Sequence, residues 1–378
     1  MKIAFYMTTI LEYYGGMEKR MIDVSSELAR RYPDLEICIV TRNNKFTEKL
    51  SKFLAFLGRY KFDRTSIYKE SYKKIAQKLG KVQYIKTNSF WETRDILKKC
   101  NVVYSKNEVL ETIIFKYFIW YKNIKYLIFG CHTALYYPYW EQLHNLLYTT
   151  WIYKFLTSGV NIFHVLNSKD RQIIQNLWRK SIQIFNPINQ HISSKEKDIP
   201  ISISGKDYNI AWIWRLTKQK WIWRLKKIID FLARKNLSNN VVVHIFWDGE
   251  RRSEIEKITE KYSFVRYYGF LNNSMIESFL SKMDLLIHTS LRESYWLTVI
   301  EANIQDVPVL AFNIPWPKDL IKNGKNGILV SGLEEYCKEL EKFVKWENSI
   351  KSSKLFISKL LDNEKIYWEY YELLTKER

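Results

Sequence analysis

The feature that most constrains the fold is a regular alternation of short apolar runs with longer amphipathic ones. Residues 2–7 form a β-branched and aromatic run, residues 18–31 carry apolar side chains at helical spacing, and residues 36–41 form a second apolar run. This alternation is typical of βα units with parallel sheets. Further strands are predicted at 101–105, 126–129 and 161–166, whereas residues 42–100 show no legible pattern.

The apolar periodicity lapses at residues 193–208, where Ser, Lys, Asp, Pro and Gly dominate, as in a linker between packed units. A chain of 378 residues with 47% hydrophobic content can bury two cores. More strands are predicted at 209–213, 241–246, 265–268, 285–288, 307–311 and 327–330. We therefore predict an α/β fold with two Rossmann-like, doubly wound domains facing a cleft. They span 1–190 and 209–349, joined by a linker at 191–208 and followed by a helix at 350–378 that could cross back to the first domain.

The chain is strongly basic, with 60 Lys and Arg against 40 Asp and Glu. A net charge of +20 favours anionic partners such as phosphates or acidic lipids, although an AT-rich genome would also enrich Lys with Ile, Asn, Tyr and Phe. A basic nucleic-acid-binding protein is the alternative from another class. The Lys and Arg residues are scattered and show no aromatic-basic recognition signature, so we expect no nucleic-acid partner.

The cysteines and histidines show no metal-ligand spacing, so no metal site is predicted. Residues 1–6 run straight into a strand pattern without a signal peptide, and lysines interrupt the apolar windows 113–130 and 146–166. We therefore expect a cytoplasmic protein. The aromatic, Lys-rich residues 113–154 have two interpretations, ordinary core helices or a peripheral contact with the inner face of an anionic membrane.

Candidate binding residues follow predicted strands, where ligands bind in open α/β sheets. Gly15 and Gly16 precede the first helix, whose amino end could hold a phosphate, although an ordinary turn is the simpler alternative. Arg215 and Lys220 follow the strand at 209–213 and could neutralise a diphosphate, or else form a solvated loop.

Two carboxylates and one imidazole complete the candidate site. Glu293 and Glu301 are eight residues apart across a loop and a predicted helix, so both could face one cleft and bind hydroxyl groups, although such pairs also occur on solvent-exposed helices. His132 follows the strand at 126–129, where it could face a cleft or simply be packed.

Taken together, these stretches resemble the retaining glycosyltransferases of family 4. In the second half the similar segments are 215–220, 248–250, 268–270, 283–290, 293–301 and 323–330; in the first half they are 15–18, His132, 165–168 and 186–189. The resemblance implies a GT-B fold and transfer of a hexose-type sugar from a UDP- or GDP-sugar. The acceptor would be a glycan or a lipid-linked molecule in the synthesis of a cell-surface polysaccharide or glycolipid.

The resemblance also implies roles for the similar positions. Arg215 and Lys220 would bind the donor diphosphate, Glu301 the ribose, and Glu293 the sugar together with backbone amides at Trp296 and Leu297. Gly15 and Gly16 would lie near the phosphates and His132 near the reacting sugar. No metal or other cofactor is implied. A GT-B epimerase and an inactive sugar-nucleotide-binding homologue are the alternatives.

The chain departs from the family pattern by carrying Trp where the family has Gly, at positions 214, 221, 247, 296 and 316, with 178 as a further candidate. Glycine at such places permits a positive φ or close approach to phosphate, both of which an indole side chain opposes. The triplet UGA is read as Trp in some genetic codes and as Gly in others. We hypothesise that these codons specify glycine in the source cell; the alternative is a divergent homologue with a Trp-filled site.

Overall fold

The computed structural model divides into two compact units, Met1–Asn189 with Asn363–Arg378, and Gln190–Asp362. The residues that the structure describes are 1–8, 11, 16–42, 72–107, 109–132, 135, 148–188, 207–214, 216, 221–270, 273–290, 297–315, 317–348, 350 and 353–376.

The N-terminal unit is built on a seven-stranded parallel sheet in the order β3-β2-β1-β4-β5-β6-β7. Its strands are β1 Lys2–Met7, β2 Glu36–Arg42, β3 Gln83–Thr87, β4 Val102–Lys106, β5 Leu127–Cys131, β6 Ile162–Val165 and β7 Ser181–Gln183. Its helices are α1 Gly16–Arg31, α2 Tyr72–Leu79, α3 Phe90–Leu97, α4 Val109–Ile114, α5 Trp151–Leu156 and α6 Ser168–Asn176. A π-helical turn, Phe115–Ile119, continues α4.

The C-terminal unit contains a six-stranded parallel sheet in the order β10-β9-β8-β11-β12-β13. Its strands are β8 Tyr208–Ile213, β9 Val241–Phe246, β10 Val265–Tyr267, β11 Leu285–His288, β12 Val309–Phe312 and β13 Gly327–Val330. Its helices are α7 Ile222–Arg234, α8 Arg252–Lys261, α9 Asn273–Leu280, α10 Leu297–Ile304, α11 Pro317–Leu320, α12 Leu333–Val344 and α13 Ser353–Leu360. The predicted doubly wound α/β fold is confirmed in both units.

The predicted terminal helix is two helices, α13 in the C-terminal unit and α14 Asn363–Thr375 in the N-terminal unit. The Asn363 side chain fixes the start of α14, because its Oδ1 accepts a hydrogen bond from the Ile188 amide at 2.8 Å and its Nδ2 donates to the Ile188 carbonyl at 2.7 Å. Arg31 of α1 pairs with Glu364 at 2.5 Å. These contacts tie the end of the chain to the first unit.

Two strands of the N-terminal sheet, β3 and β7, were not legible in the sequence. Both are edge strands, and most of their residues are only partly buried. Edge strands need no continuous apolar run, because one side lacks a neighbouring strand. The central strand β1, by contrast, is almost wholly buried and reads clearly as an apolar run.

Left-handed backbone conformations fall on an unusual set of residues. Among the described residues, seven that are not glycine have a positive φ. Five of them are Trp: Trp120, Trp178, Trp221, Trp247 and Trp346. The other two, Asn236 and Asp306, belong to the residue types that tolerate this region. For other L-residues it costs about 1–2 kcal/mol. Of the six positions singled out from the sequence, 178, 221 and 247 are left-handed; Trp214 is not, and Trp296 and Trp316 lie outside the described residues.

No helix within the described ranges combines the length and hydropathy that a membrane crossing requires. In the same part of the chain, no group of three or more His, Cys, Asp or Glu side chains is arranged to hold a metal ion.

Candidate functional site

Four of the predicted site residues lie in the described part of the chain. In the N-terminal unit, Gly16 is the first residue of α1 and His132 directly follows β5. In the C-terminal unit, Leu297 begins α10 and Glu301 lies one turn further along it with a half-buried side chain. The other predicted site residues lie outside the described residues: Gly15, Arg215, Lys220, Glu293 and Trp296.

His132 ends a chain of hydrogen bonds that runs across three neighbouring strands. Its Nε2 is 2.8 Å from the hydroxyl of Tyr104 on β4. That hydroxyl is 2.6 Å from Nδ1 of His164 on β6, and Nε2 of His164 is 2.8 Å from the Ile184 carbonyl oxygen. We call Tyr104, His132 and His164 the His132 relay.

The Ile184 carbonyl fixes the direction of every bond in the His132 relay. A carbonyl oxygen can only accept, so His164 Nε2 carries a proton and donates. The neutral ring then accepts at Nδ1 from the Tyr104 hydroxyl, which leaves the Tyr104 oxygen to accept from His132 Nε2. His132 is therefore assigned, from its hydrogen bonds, as the Nε2–H tautomer. Its Nδ1 makes no hydrogen bond to any described residue and carries the free lone pair.

Burial keeps both imidazoles neutral. It lowers the pKa of His132 well below the ordinary value, and the charges of Arg20 and Lys106 lower it further. Burial also lowers the pKa of His164 to about 4. The Tyr104 hydroxyl stays protonated, because burial raises its pKa well above the ordinary value. The relay thus presents an uncharged imidazole at neutral pH.

Gly130 makes room for the relay. A Cβ at this position would lie 2.2 Å from the Tyr104 hydroxyl oxygen and 2.7 Å from His132 Nε2. Gly130 is paired in register with Lys106 on β4 and His164 on β6, so it lies at the centre of the three strands. Any side chain here would displace one of the hydrogen-bonded groups.

In the C-terminal unit, the loops after β8 and β9 are joined at the carboxyl edge of the sheet. The Leu216 amide donates to the Asp248 carbonyl at 3.2 Å, and the Arg251 amide donates to the Leu216 carbonyl at 3.0 Å. A Cβ on Gly249 would lie 2.6 Å from the Leu216 carbonyl oxygen, so this contact also requires glycine. Leu216, which lies between predicted residues Arg215 and Lys220 in the sequence, is therefore held against the loop after β9.

Two indole side chains occupy this same edge. Trp214 is buried and packs edge-on against the His288 ring, with centroids 4.3 Å apart. Trp247, in the loop after β9, packs against Phe270 at 5.2 Å with φ at 93°. Both are positions at which the family pattern has glycine, so large side chains fill part of the edge where the sequence predicts a diphosphate.

Helix α10, which carries Glu301, is held by a buried amide pair. Asn303 Nδ2 donates to the Val307 and Asn326 carbonyl oxygens, each at 2.9 Å. Asn326 Nδ2 donates to Asn303 Oδ1 and to the Leu320 carbonyl oxygen, each at 2.8 Å. These bonds fix the helix against the segment before β13, so Glu301 projects from a rigid element.

Sequence reasoning found His132 but not its partners Tyr104, His164 and Gly130. In the sequence, His164 is simply one of several histidines without metal-ligand spacing. The sequence did contain one indication of the role of Gly130. It lies two residues before His132, so the two positions share a sheet face. The pairing of Gly130 with His164 depends on strand register, which the sequence does not state.

Comparisons with known proteins find a family similarity in the C-terminal unit. Residues 194–359 match the family of glycosyl transferases group 1. A Staphylococcus aureus poly(ribitol-phosphate) alpha-N-acetylglucosaminyltransferase is 31% identical over 127 residues, which are 32% of this chain and 24% of that protein. An uncharacterized 41.2 kDa protein in the cps region of Klebsiella pneumoniae is 28% identical over 123 residues, 32% of each chain. The aligned segments thus span about a third or less of these relatives' lengths.

Solved structures are similar over nearly the whole chain. The lipopolysaccharide outer core galactosyltransferase WaaB superimposes with a TM-score of 0.68 at 16% identity, covering 98% of both chains. The Anabaena protein HepE in complex with UDP gives the same TM-score and identity, covering 99% of both chains. At this identity the similarity establishes the fold. The chain therefore has the GT-B fold, and its residues 194–359 are similar to the glycosyl transferases group 1 family.

Proposed function

We propose that this protein is a retaining glycosyltransferase that moves a hexose-type sugar from a UDP- or GDP-sugar to a glycan or lipid-linked acceptor. The observation that carries the proposal is the group 1 match over residues 194–359, which includes the whole sheet from β8 to β13. The names of the similar proteins point to surface polymers: a lipopolysaccharide galactosyltransferase and a poly(ribitol-phosphate) N-acetylglucosaminyltransferase. We assign the product to the same class, a cell-surface polysaccharide or glycolipid.

The proposed donor site lies in the C-terminal unit. Arg215 and Lys220 neutralise the diphosphate leaving group, whose developing charge is the largest electrostatic demand of the reaction. Glu301 binds the ribose hydroxyls, and Glu293 binds the sugar with the backbone amides at Trp296 and Leu297. The rigid anchoring of α10 supports the assignment of Glu301, because a preorganised carboxylate loses little entropy on binding.

In the N-terminal unit we assign His132 to the reacting sugar and Gly15 and Gly16 to the phosphates. The His132 relay gives this imidazole a defined chemistry. Because it is neutral and protonated on Nε2, its Nδ1 can accept a hydrogen bond from a sugar hydroxyl without adding positive charge near the anomeric centre. The departing phosphate would take the acceptor proton during same-face attack.

A panel of UDP- and GDP-sugars tests the proposal. One donor should raise the unfolding temperature more than its free nucleotide does, and adding an acceptor glycan should release the nucleotide. Product formed with an unchanged anomeric configuration supports the assignment. Isomerised sugar nucleotide without an acceptor would identify an epimerase instead. Binding without turnover would identify an inactive homologue, and protection by no nucleotide would contradict the proposal altogether.

We assign the exposed aromatic surface of the N-terminal unit to contact with an anionic membrane that holds the acceptor. On the π-helical turn and α5, Tyr117 and Phe155 are more than half exposed and Trp151 is 74% exposed. Lys116 joins the two elements, donating to the Phe155 carbonyl at 3.2 Å and to Ser158 Oγ at 2.8 Å. Exposed lysines beside exposed aromatic groups are the composition that anionic interfaces attract.

Charge reversal tests this surface. Because Lys116 holds the two elements together, the suitable variant is Lys122→Glu with Lys125→Glu, both on exposed side chains. Binding to phosphatidylglycerol vesicles should weaken at least tenfold, since each lysine contributes about 1 kcal/mol. The control, Lys81→Glu with Lys99→Glu, changes the same number of exposed charges in the same unit. Equal loss in both variants would show that only net charge matters and would overturn the assignment.

A further inference from the structure

Strand β2 ends in a buried arginine. Arg42, the last residue of this strand, is only 4% exposed, and its Nε and Nη1 atoms are buried without a hydrogen-bond partner. Its one described contact is with the Phe90 ring, over which the guanidinium lies at 3.1 Å from the centroid. A ring face attracts the charge, but it cannot accept the hydrogen bonds that the five N–H groups of a guanidinium can donate. Among the described residues, no carboxylate forms an ion pair with this buried guanidinium.

A second donor lacks a partner on the same face of the sheet. The Tyr6 hydroxyl on β1 is fully buried and unpaired. Tyr6 pairs in register with Val40, two residues before Arg42, so the two side chains share a face of neighbouring strands. Glu111 of α4 also faces this region and accepts a hydrogen bond from Thr8 Oγ1 at 2.5 Å. Burial and Glu111 both raise the pKa of Tyr6, so its hydroxyl remains a donor.

The position of these donors indicates a ligand. Arg42 lies at the carboxyl end of its strand, which is the edge of an open α/β sheet where ligands bind. A buried charge without a counter-ion is strongly unfavourable unless a bound group supplies the opposite charge. A guanidinium matches the geometry of carboxylate and phosphate oxygens, with which it forms paired hydrogen bonds.

We propose that Arg42, assisted by the Tyr6 hydroxyl, binds an oxyanion, phosphate or carboxylate, of the acceptor molecule. This inference rests on the proposed glycosyl transfer, because it gives the substrate of that reaction a chemical class: the acceptor is anionic. It assigns acceptor binding in the N-terminal unit to a residue outside the His132 relay.

Thermal unfolding of wild-type protein and of Arg42→Met tests the site, with inorganic phosphate and acetate as probes and chloride at matched ionic strength. Without a probe, Arg42→Met should unfold at the same or a higher temperature, since an apolar chain replaces an unpaired charge. With either probe at several times its Kd, the wild type should gain about 2–4 °C and Arg42→Met nothing. Arg171→Met, which removes an exposed arginine of the same unit, should respond like the wild type.

Two results would overturn the site. If Arg42→Met unfolds well below the wild type without a probe, the guanidinium has a structural partner. If both proteins respond equally to the probes, or the wild type responds to neither, no anion binds at Arg42. The measurement needs neither donor nor turnover, so a failure of glycosyl transfer would leave its outcome readable. Failure of anion protection in an active transferase would remove this site alone.

A second, independent inference concerns the left-handed tryptophans. Trp178 and Trp346 follow α6 and α12 and close them with paired bonds. Trp178 N donates to Gln175 O at 2.8 Å and the next amide reaches back to Ile174 O at 3.2 Å; Trp346 N donates to Phe343 O at 3.0 Å and the next amide to Lys342 O at 2.8 Å. Asn236 closes α7 with the same pattern. This helix-ending position is most often glycine.

The side chains at these positions are largely exposed, although the Trp346 ring contacts the Tyr208 ring edge-on at 4.9 Å. Trp178 is 87% exposed and Trp346 is 66% exposed. Trp212 behaves differently: it lies in β8, is fully buried, and donates from Nε1 to Thr289 Oγ1 at 3.0 Å. The described tryptophans therefore form two populations by backbone conformation: five have a positive φ, whereas the others do not, whether they are packed like Trp212 or exposed like Trp151.

The structure assigns glycine to Trp120, Trp178, Trp221, Trp247 and Trp346 in the protein that the source cell makes. Two of these, 120 and 346, had not been singled out from the sequence. A codon that the source cell reads as glycine, written here as tryptophan, accounts for both populations.

The gene and the natural protein decide this assignment. We expect UGA at the five left-handed positions and UGG at Trp212, and peptides from source cells with the mass of glycine at the five positions. UGG codons or tryptophan masses there would overturn it.

A physical check uses single variants of the protein that carries tryptophan at these positions. Trp178→Gly and Trp346→Gly should each raise the unfolding temperature by about 2–4 °C, whereas Trp212→Gly should lower it. A fall in all three would contradict the backbone argument.

Discussion

Each unit buries one histidine in the same way, but the hydrogen bonds continue differently beyond it. His164 donates from Nε2 to a carbonyl oxygen and accepts at Nδ1 from the hydroxyl of Tyr104. In the C-terminal unit, His244 Nε2 is 3.0 Å from Asn209 Oδ1 and its Nδ1 is 2.9 Å from the hydroxyl of Tyr268. Burial lowers both pKa values to about 4. In both units, a buried neutral imidazole is thus hydrogen-bonded to an oxygen acceptor at Nε2 and to a tyrosine hydroxyl at Nδ1.

The difference lies in what the tyrosine hydroxyl contacts next. The Tyr104 hydroxyl is also hydrogen-bonded to His132 at the end of β5, whereas the Tyr268 hydroxyl is hydrogen-bonded to the Arg266 side chain. A histidine in the first unit is thus oriented through a buried neighbour. The same motif in the second unit serves packing. The two motifs therefore differ in where they end, because His132 follows the carboxyl end of a strand, which is where ligands bind in open α/β sheets.

The largest expected effect is common to both units and concerns low pH. Between pH 6.5 and 4 the unfolded chain protonates both histidines while the folded chain keeps them neutral, so the free energy of unfolding falls as pH falls. A difference of about 2.5 pKa units corresponds to about 3 kcal/mol per histidine. Urea denaturation at several pH values measures this. His164→Gln and His244→Gln should each reduce the dependence of the unfolding free energy on pH. If one variant keeps the wild-type dependence, its histidine does not contribute to the loss of stability at low pH.

A smaller effect should be confined to the N-terminal unit. Gly130→Ala places a methyl group on the Tyr104 hydroxyl and His132 and should cost about 2–3 kcal/mol of unfolding free energy. The control is Gly332→Ala at the start of α12, where no atom lies within 4 Å of the new Cβ and φ is negative. It should cost less than about 1 kcal/mol. Equal costs, measured by chemical denaturation, would show that the relay can accommodate a side chain.

The smallest energetic effect gives the sharpest contrast. Tyr104→Phe and Tyr268→Phe each leave a buried imidazole nitrogen unpaired and should each cost about 1–2 kcal/mol. Only Tyr104→Phe should change His132, whose ¹⁵N spectrum should pass from the single Nε2–H tautomer to a mixture. An unchanged His132 spectrum in Tyr104→Phe would end the claim that Tyr104 positions this residue. A change in Tyr268→Phe would show that the spectrum reports general destabilisation.

The fold was predictable because buried parallel strands must be apolar. The central strands β1, β8 and β9 are almost wholly buried and appear as continuous apolar runs. The edge strands β3 and β7 are not, and the break between α13 and α14 depends on Asn363 finding Ile188, 175 residues away. Contacts between distant residues leave no local pattern.

The candidate site was predictable to a lesser degree. His132 could be placed at a strand end, because strand boundaries follow apolar runs. Gly130 could not be recognised as the position that admits the relay, since the Tyr104 hydroxyl above it comes from a different strand. Arg42 is the converse case, a charge in a stretch that showed no legible pattern, whose burial without a hydrogen-bond partner is evident only in the folded unit.

The two βα arrays and the +20 charge could be derived from local periodicity and composition alone, and the resemblance to a family pattern led to the hypothesis that glycine belongs at several tryptophan positions. Three features needed the folded structure: the tautomer of His132, the burial of Arg42 Nε and Nη1 without a hydrogen-bond partner among the described residues, and which described tryptophans have a left-handed backbone. The physical reason is that protonation, burial and backbone strain are set by neighbours across strands and turns, and strand register brings those neighbours together from distant parts of the chain.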